Sequence, residues 1–328
     1  MQKHTKFKAY GGFLRVVVSL SLLSAIAFVF RGTLSAVFSC LQNVSLPLFL
    51  ASLAVFSGVV ACNARRLTLF LHFHSINISY IQVFSFNLLA LFVNIFVPSS
   101  ISGDAVKAYR IHQMSGRQEV YGLVILDRFF GLLCLVALSS TILLFSGVAD
   151  FPGNIRLTIF VLAAMTSFSV IVLLHPGIAR AIDRFQSSKI PRHFSMQLSI
   201  IYTAMQLHRY PGKIVLKAFC FSLGAQCFYI LNYYLISKSL DLDLPLTFFV
   251  FFVPINVLLG LAPSMNGLGV REAAYLFYAT TYIGPDEALA LSLLSTFTLI
   301  LAGCLGGVAN VVSKNHWSGA DKVKFQLK

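Results

Sequence analysis

Long apolar stretches separated by short polar ones run almost the length of the chain. They lie near residues 46–62, 81–97, 129–148, 156–174, 214–236, 247–262, 268–283 and 286–312, after a first apolar run from Val16 to Phe30. A crossing of the hydrocarbon layer takes about 20 residues of helix, and several of these stretches are long enough. The stretches at 81–97 and 268–283 are short, so they need not cross simply. The pattern predicts an all-α integral membrane protein of about eight hydrophobic segments.

Composition sharpens this. Hydrophobic residues make up 57% of the chain against 11% charged, and the mean hydropathy is +0.81, which excludes an aqueous globular fold. Lys and Arg number 25 against 11 Asp and Glu, for a net +14. The basic residues fall between apolar runs and not on a soluble face, so nucleic-acid binding is not expected. They follow the positive-inside pattern. Arg65 and Arg66, then Lys107, Arg110 and Arg117, the segment 180–217, and Lys314, Lys322, Lys324 and Lys328 all read as cytoplasmic, whereas 149–154 and 238–246 read as external. A full crossing at 81–97 would put Arg65/Arg66 and the 107–117 cluster on opposite sides. A re-entrant segment removes the conflict, provided that its irregular backbone is buried in protein or lines a polar cavity.

The first apolar run follows Lys3, Lys6, Lys8 and Arg15 and resembles a signal peptide, but Phe38 suits a cleavage site poorly, so it is read as an uncleaved span. Residues 178–212 form the longest polar stretch, with IYTAMQL as a candidate interfacial helix. The division is a polytopic membrane domain over 1–312 and a basic, disordered cytoplasmic tail over 313–328. Both termini are expected in the cytoplasm, in a multi-pass protein of the cell inner (cytoplasmic) membrane. Six scattered cysteines without a CxxC pair and eight histidines without ligand spacing imply neither disulfides nor a metal, and no cofactor is expected.

Comparison of the two halves, roughly 1–164 and 165–312, brings out a repeat. PSSISGDAVKAY (98–109) matches PSMNGLGVREAAY (263–275) in the order Pro, Ser, Gly, small residue, Val, basic residue, Ala, Tyr, at a spacing of 165 residues. Each motif follows a short apolar run, so re-entrant segments are expected near 81–105 and 255–283. Interrupted apolar segments at matching places in two halves point to the substrate site of transporter-like folds, whether the halves are inverted or parallel.

Charges in and beside these motifs are the chemical signal. They are Asp104 and Lys107 in the first, Asp127 and Arg128 entering the next apolar run, and Arg271 and Glu272 in the second. A charge in hydrocarbon costs roughly 2.5–3.5 kcal/mol even on the lenient insertion scale, so each should be paired or face a polar cavity. Pairing across the halves is expected, Asp127 or Asp104 with Arg271 and Arg128 with Glu272. Simple helix packing or snorkelling to the headgroups is the competing reading, strongest for Lys107 and Arg110. The candidate substrate-binding residues are Ser102, Gly103, Asp104, Lys107, Asp127, Arg128, Asn266, Gly267, Gly269, Arg271 and Glu272; no catalytic residue is assigned.

SSISGDAVKAYR with VYGLVILDRFFGL, and APSMNGLGVREAAYLFY, resemble two blocks of the transmembrane region of lysylphosphatidylglycerol synthases and related flippase-like membrane proteins. The similarity covers about residues 10–315. Two departures are SSISGD where the family often has Gly-Gly-Asp, and ALSLLSTFTL, which lacks an arginine that many relatives carry. The resemblance implies about eight spans with re-entrant elements and movement of aminoacylated or other lipids between leaflets. The aminoacyltransferase of the synthases is a separate soluble C-terminal domain, and nothing like it follows residue 312, so the chain reads as transporter-like.

The function expected is binding and translocation of a polar, anionic or aminoacylated lipid, a phospholipid or a polyprenyl-phosphate-linked one. Arginine forks and glycine-turn N–H groups would hold the headgroup. No GxxxxGK[ST] motif occurs, so movement would be downhill or coupled to an ion gradient, with Asp104 or Glu272 as proton carrier. Two alternatives are a membrane-embedded glycosyl- or aminoacyl-lipid transferase using Asp104 or Glu272 as base, and a scaffold for a separate lipid- or glycan-modifying enzyme.

Overall fold

The structure, a computed structural model, describes residues 39–97, 102–145, 210–260 and 269–324, with isolated positions at 157, 160, 161, 164 and 167. The first apolar run, the segment 178–209, most of 156–174, Asn266 and Gly267 lie outside the described residues. The helices are α1 (Leu46–Phe73), α2 (Tyr80–Phe96), α3 (Ser102–Ser115), α4 (Glu119–Phe145), α5 (Gly212–Ser239), α6 (Leu246–Leu259), α7 (Val270–Ala279) and α8 (Pro285–Lys324). Among the described residues, α1, α4, α5 and α8 contain stretches long and apolar enough to cross a membrane, while α2 and α6 are shorter apolar helices. The chain is an all-α membrane protein. The helix α8 continues to Lys324, taking in most of the tail that the sequence reads as disordered.

Local sequence sets the helix starts. Pro47 sits in the first turn of α1, and Pro211 and Pro245 directly precede α5 and α6, where the missing N–H costs nothing. The start of α2 is a capping box, Ser79 and Gln82 each accepting the other's backbone N–H. Both 28-residue helices, α1 and α5, end alike. Ser75 and Asp241 take the left-handed conformation (φ 58° and 57°), and Ile76 N and Leu242 N reach back to Leu71 O and Ser237 O.

Contacts at the helix ends fix the topology. Ser45 N donates to Ser239 O (2.8 Å), and Tyr210, just before α5, packs on Phe70 and Phe73 near the end of α1, with its hydroxyl 2.9 Å from His74 Nε2. Thus α1 and α5 are antiparallel, and they form the most extensive helix pair. Arg117 donates to His74 O (3.3 Å) and Arg65 lies 3.8 Å over the Tyr80 ring. The start of α2, the end of α3 and the start of α4 are therefore all at the end where α1 finishes and α5 begins. We term it the basic end, since Arg65, Arg117, Lys213 and Lys217 gather there. The opposite, acidic end carries Asp241, Asp243, Asp286 and Glu287.

The pair α2–α3 therefore enters from the basic end and returns to it. The pair α6–α7 does the reverse. Helix α6 begins just after α5 finishes, at the acidic end; Tyr282 beyond α7 packs on Phe248 (5.4 Å), and Leu276 packs with Leu240 and Leu289. Both match the re-entrant segments expected near 81–105 and 255–283, the first from the charge distribution and the second from the repeat. One half runs α1 toward the basic end, a hairpin from that end, and α4 back. The other runs α5 toward the acidic end, a hairpin from that end, and α8 back. Every direction is reversed, so the halves form an inverted repeat.

Each hairpin packs on the long helix of its own half, α3 on α4 and α7 on α8, and also on that of the other, α2 on α8 and α6 on α4. Glycine makes the first exchange possible. A Cβ on Gly306 would lie 2.6 Å from Leu88 O, and one on Gly307 2.6 Å from the Phe92 ring. With Gly303 against Leu91 and Ile95, this is a GxxxG-type close approach. Two aromatic-rich cores flank it, one toward the basic end around Phe70, Ile111 and Leu123, the other toward the acidic end around Phe249, Phe252 and Tyr275.

Two predictions follow from this packing. Gly307→Leu should destabilise the detergent-purified protein by roughly 1–3 kcal/mol, through overpacking, as read from its thermal unfolding. In a background without the native cysteines, Asn77→Cys and Gln118→Cys should react with an impermeant maleimide from one side of the membrane, and Asp243→Cys and Gly284→Cys from the other.

Candidate functional site

Three groups of charged side chains lie inside the helical assembly. The first is at the tip of the α2–α3 hairpin. Asn94 Oδ1, near the end of α2, accepts from Ser102 Oγ (3.0 Å) and Gly103 N (2.7 Å), capping α3 from the outgoing helix. A Cβ at Gly103 would collide with Ala90 O and Asn94, so only glycine lets the two helices approach this closely. This places Asp104 in the first turn of α3, where the helix dipole favours an anion. Its carboxylate holds two cations, Lys107 Nζ on Oδ1 (3.1 Å) and Arg128 Nη1 on Oδ2 (2.7 Å). Lys107 is buried, and the Arg128 side chain is 41% exposed.

The second group joins the two halves. Arg66 of α1 donates from Nε to Asp127 Oδ1 of α4 (2.6 Å) and from Nη1 to Ser222 Oγ of α5 (2.8 Å), and both charges are buried. Gln226 of α5 adds a bond to Gly131 O (2.9 Å). A Cβ on Gly131 would stand 3.2 Å from the guanidinium.

The third group is in the second hairpin. Gly269 precedes α7 at φ +84°, a conformation open to glycine, and its N–H donates to Glu272 Oε2 (2.5 Å), so the glutamate caps its own helix. Thr296 Oγ1 of α8 lies 3.4 Å from the other oxygen. Arg271 is buried and donates from Nε to Asn256 Oδ1 of α6 (3.0 Å) and from Nη2 to the Tyr233 hydroxyl of α5 (2.7 Å), while Asn256 Nδ2 also donates to that hydroxyl (3.1 Å). Among the described residues, Arg271 meets no carboxylate at ion-pair distance.

The pairing expected across the halves is not what forms. Asp104 takes Lys107 and Arg128, Asp127 takes Arg66, Arg271 takes neutral partners and Glu272 takes backbone N–H and a hydroxyl. The reason is topological: the hairpins enter from opposite ends, so each motif finds its polar neighbours among the helices of its own half. Two residues counted as cytoplasmic charges, Arg66 and Lys107, are instead buried, and Arg66 lies well inside α1, which continues beyond residue 62. Likewise α4 begins at Glu119, ten residues before the apolar stretch, so Asp127 and Arg128 are interior positions.

Sequence reasoning missed Arg66, Tyr233 and Asn256. An arginine next to a second arginine looks like a membrane-edge marker, and Tyr and Asn within apolar helices carry no motif. The one available signal was that Asp104 and Asp127 shared a single candidate cation, Arg271, which left one of them without a partner.

The fold and these groups define a class: a polytopic helical membrane protein built as an inverted repeat, with a charged, re-entrant interior. Residues 12–306 match the family model of the lysylphosphatidylglycerol synthase TM region, and the chain belongs to that family. No curated protein sequence matches it at a significant level.

Removing one member of the buried Arg66–Asp127 pair strands the other. Arg66→Met should cost about 3–5 kcal/mol of stability, and the double variant Arg66→Met/Asp127→Leu should recover most of it. Thermal unfolding of the three proteins in one detergent is the check.

Proposed function

We propose that this protein translocates a polar lipid, anionic or aminoacylated, between the leaflets of the membrane. The observation that carries the reading is the inverted pair of re-entrant hairpins, each presenting the start of an inner helix and a charged motif within the helical assembly. In transporter folds such paired broken helices serve a site between the halves that opens to either side in turn. The headgroup would move past the Asp104, Lys107 and Arg128 group and the Arg271 and Glu272 group while its acyl chains stay in lipid. Asp127 is assigned to the frame, since it is engaged by Arg66.

Arg271 suits a phosphodiester. Its planar fork donates parallel hydrogen bonds, and its charge is held by Asn256 and Tyr233, which orient it without neutralising it. Glu272, adjacent in sequence, is the nearest formal counter-charge within the motif and is occupied with the helix start. The candidate residues Ser102, Gly103 and Gly269 supply the turns that bring helix N-termini inward. The positive-inside bias puts the basic end in the cytoplasm, and α8 then delivers the C-terminus there.

The test is a proteoliposome assay with fluorescent phosphatidylglycerol, its lysyl ester and undecaprenyl phosphate in separate arms. Translocation of one of them by the purified chain, lowered at least about tenfold by Arg271→Ala with the protein still folded, is the expected result. Absence of movement in all three arms with folded protein would overturn the reading.

A further inference from the structure

Arg271 is a buried cation that the helices hold with neutral groups. It is 6% exposed, its Nε donates to Asn256 Oδ1 (3.0 Å) and its Nη2 to the Tyr233 hydroxyl (2.7 Å), and Asn256 Nδ2 donates to the same hydroxyl (3.1 Å). Among the described residues Nη1 makes no bond. Glu272, next in sequence, lies on a different face of α7 and is occupied by the Gly269 N–H (2.5 Å) and Thr296 Oγ1 (3.4 Å). Burying a charge with no carboxylate against it is costly, and packing alone would be better served by an apolar side chain of the same volume. An arginine kept in this state is suited to receive an anion.

The interior carboxylates favour the same kind of ligand. Among the described residues Asp104 holds Lys107 and Arg128, Asp127 holds Arg66, and Glu272 caps α7. A phosphate entering here meets a guanidinium fork, whereas an ammonium gives up its hydration and meets only carboxylates that are already engaged. Specificity is the difference between those two outcomes.

We propose that Asn256 and Tyr233 are positioning residues that hold Arg271 as an uncompensated cation, and that Arg271 thereby selects lipids whose headgroup carries a phosphate but no amine. The selection rests on the translocation reading for its role, since it decides which of the anionic and aminoacylated lipids is taken. Asn256→Asp is the discriminating substitution. It leaves an oxygen for Arg271 Nε, lets the Tyr233 hydroxyl donate to the new carboxylate in place of accepting from Nδ2, and sets a full negative charge against the guanidinium. An architectural Arg271 gains an ion pair from this, and the lipid preference stays as it was. A selecting Arg271 loses its hold on an anionic headgroup by about tenfold while the protein stays folded. Tyr233→Phe removes an orienting hydroxyl without changing the charge, so it should weaken anionic lipid binding less than Asn256→Asp and leave the order of preference as it was.

The measurement is titration of the detergent-purified full chain with phosphatidylglycerol, its lysyl ester and phosphatidylethanolamine, read by native mass spectrometry, with inorganic phosphate as competitor and thermal unfolding as the folding check. The unaltered protein should retain phosphatidylglycerol about tenfold better than either amine-bearing lipid, indifferent to an equal concentration of phosphate, and Asn256→Asp should bring the three within about twofold. Equal binding of the three lipids by the unaltered protein overturns the selection whether or not the variants fold, and so does folded Asn256→Asp protein that keeps the original preference. Equal competition by inorganic phosphate overturns the assignment to a lipid. Proteoliposomes separate selection from translocation. Movement of the lysyl ester at least as fast as phosphatidylglycerol removes the selection and leaves translocation standing. Selective binding of phosphatidylglycerol without movement of any lipid removes translocation and leaves the selection.

Discussion

A broken helix inside hydrocarbon has to satisfy its own ends, because no water is there to do it. The rest of this structure follows from how that is done twice. In the first hairpin α2 supplies the acceptor, Asn94, for the Gly103 N–H and the Ser102 hydroxyl that open α3, and glycine at 103 lets it come close enough. In the second, α7 caps itself through Glu272 and Gly269. Both solutions place a helix N-terminus and its motif charges in the interior, which a continuous span would not allow.

Holding two such hairpins needs long helices that do not move apart. The antiparallel pair α1 and α5 forms that frame, and the Arg66–Asp127–Ser222 network ties α4 to it with buried charge-assisted hydrogen bonds. Each hairpin then leans on both long helices of its own half and on one of the other. The exchange of α2 onto α8 and α6 onto α4 makes the repeats interdependent. The glycine cluster at 303–307 is the steric condition for one of these exchanges.

The two halves are not chemically equivalent. Where the first has Asp104 gripping Arg128 and Lys107, the second has Glu272 with Thr296 and a guanidinium held by tyrosine and asparagine. One site is thus an ion cluster reaching the surface of the bundle, the other a buried cation with neutral partners. An inverted repeat with such unequal groups presents different chemistry toward its two ends.

The amino-acid sequence by itself determined the solvent of this protein, its helical class, the short segments that need not cross simply, and the two motifs that follow them. Those are consequences of composition and of helix length against bilayer thickness, which need no knowledge of neighbours. The family was legible from the same motif residues. Only the tertiary structure decided that the repeat is inverted, because direction depends on which ends meet, and it decided every charge pairing. Asp127 finds Arg66, 61 residues away, and Arg271 finds Tyr233, 38 away, through contacts between helices. Spacing along one helix places a charge on a face, but the partner across from that face is chosen by topology.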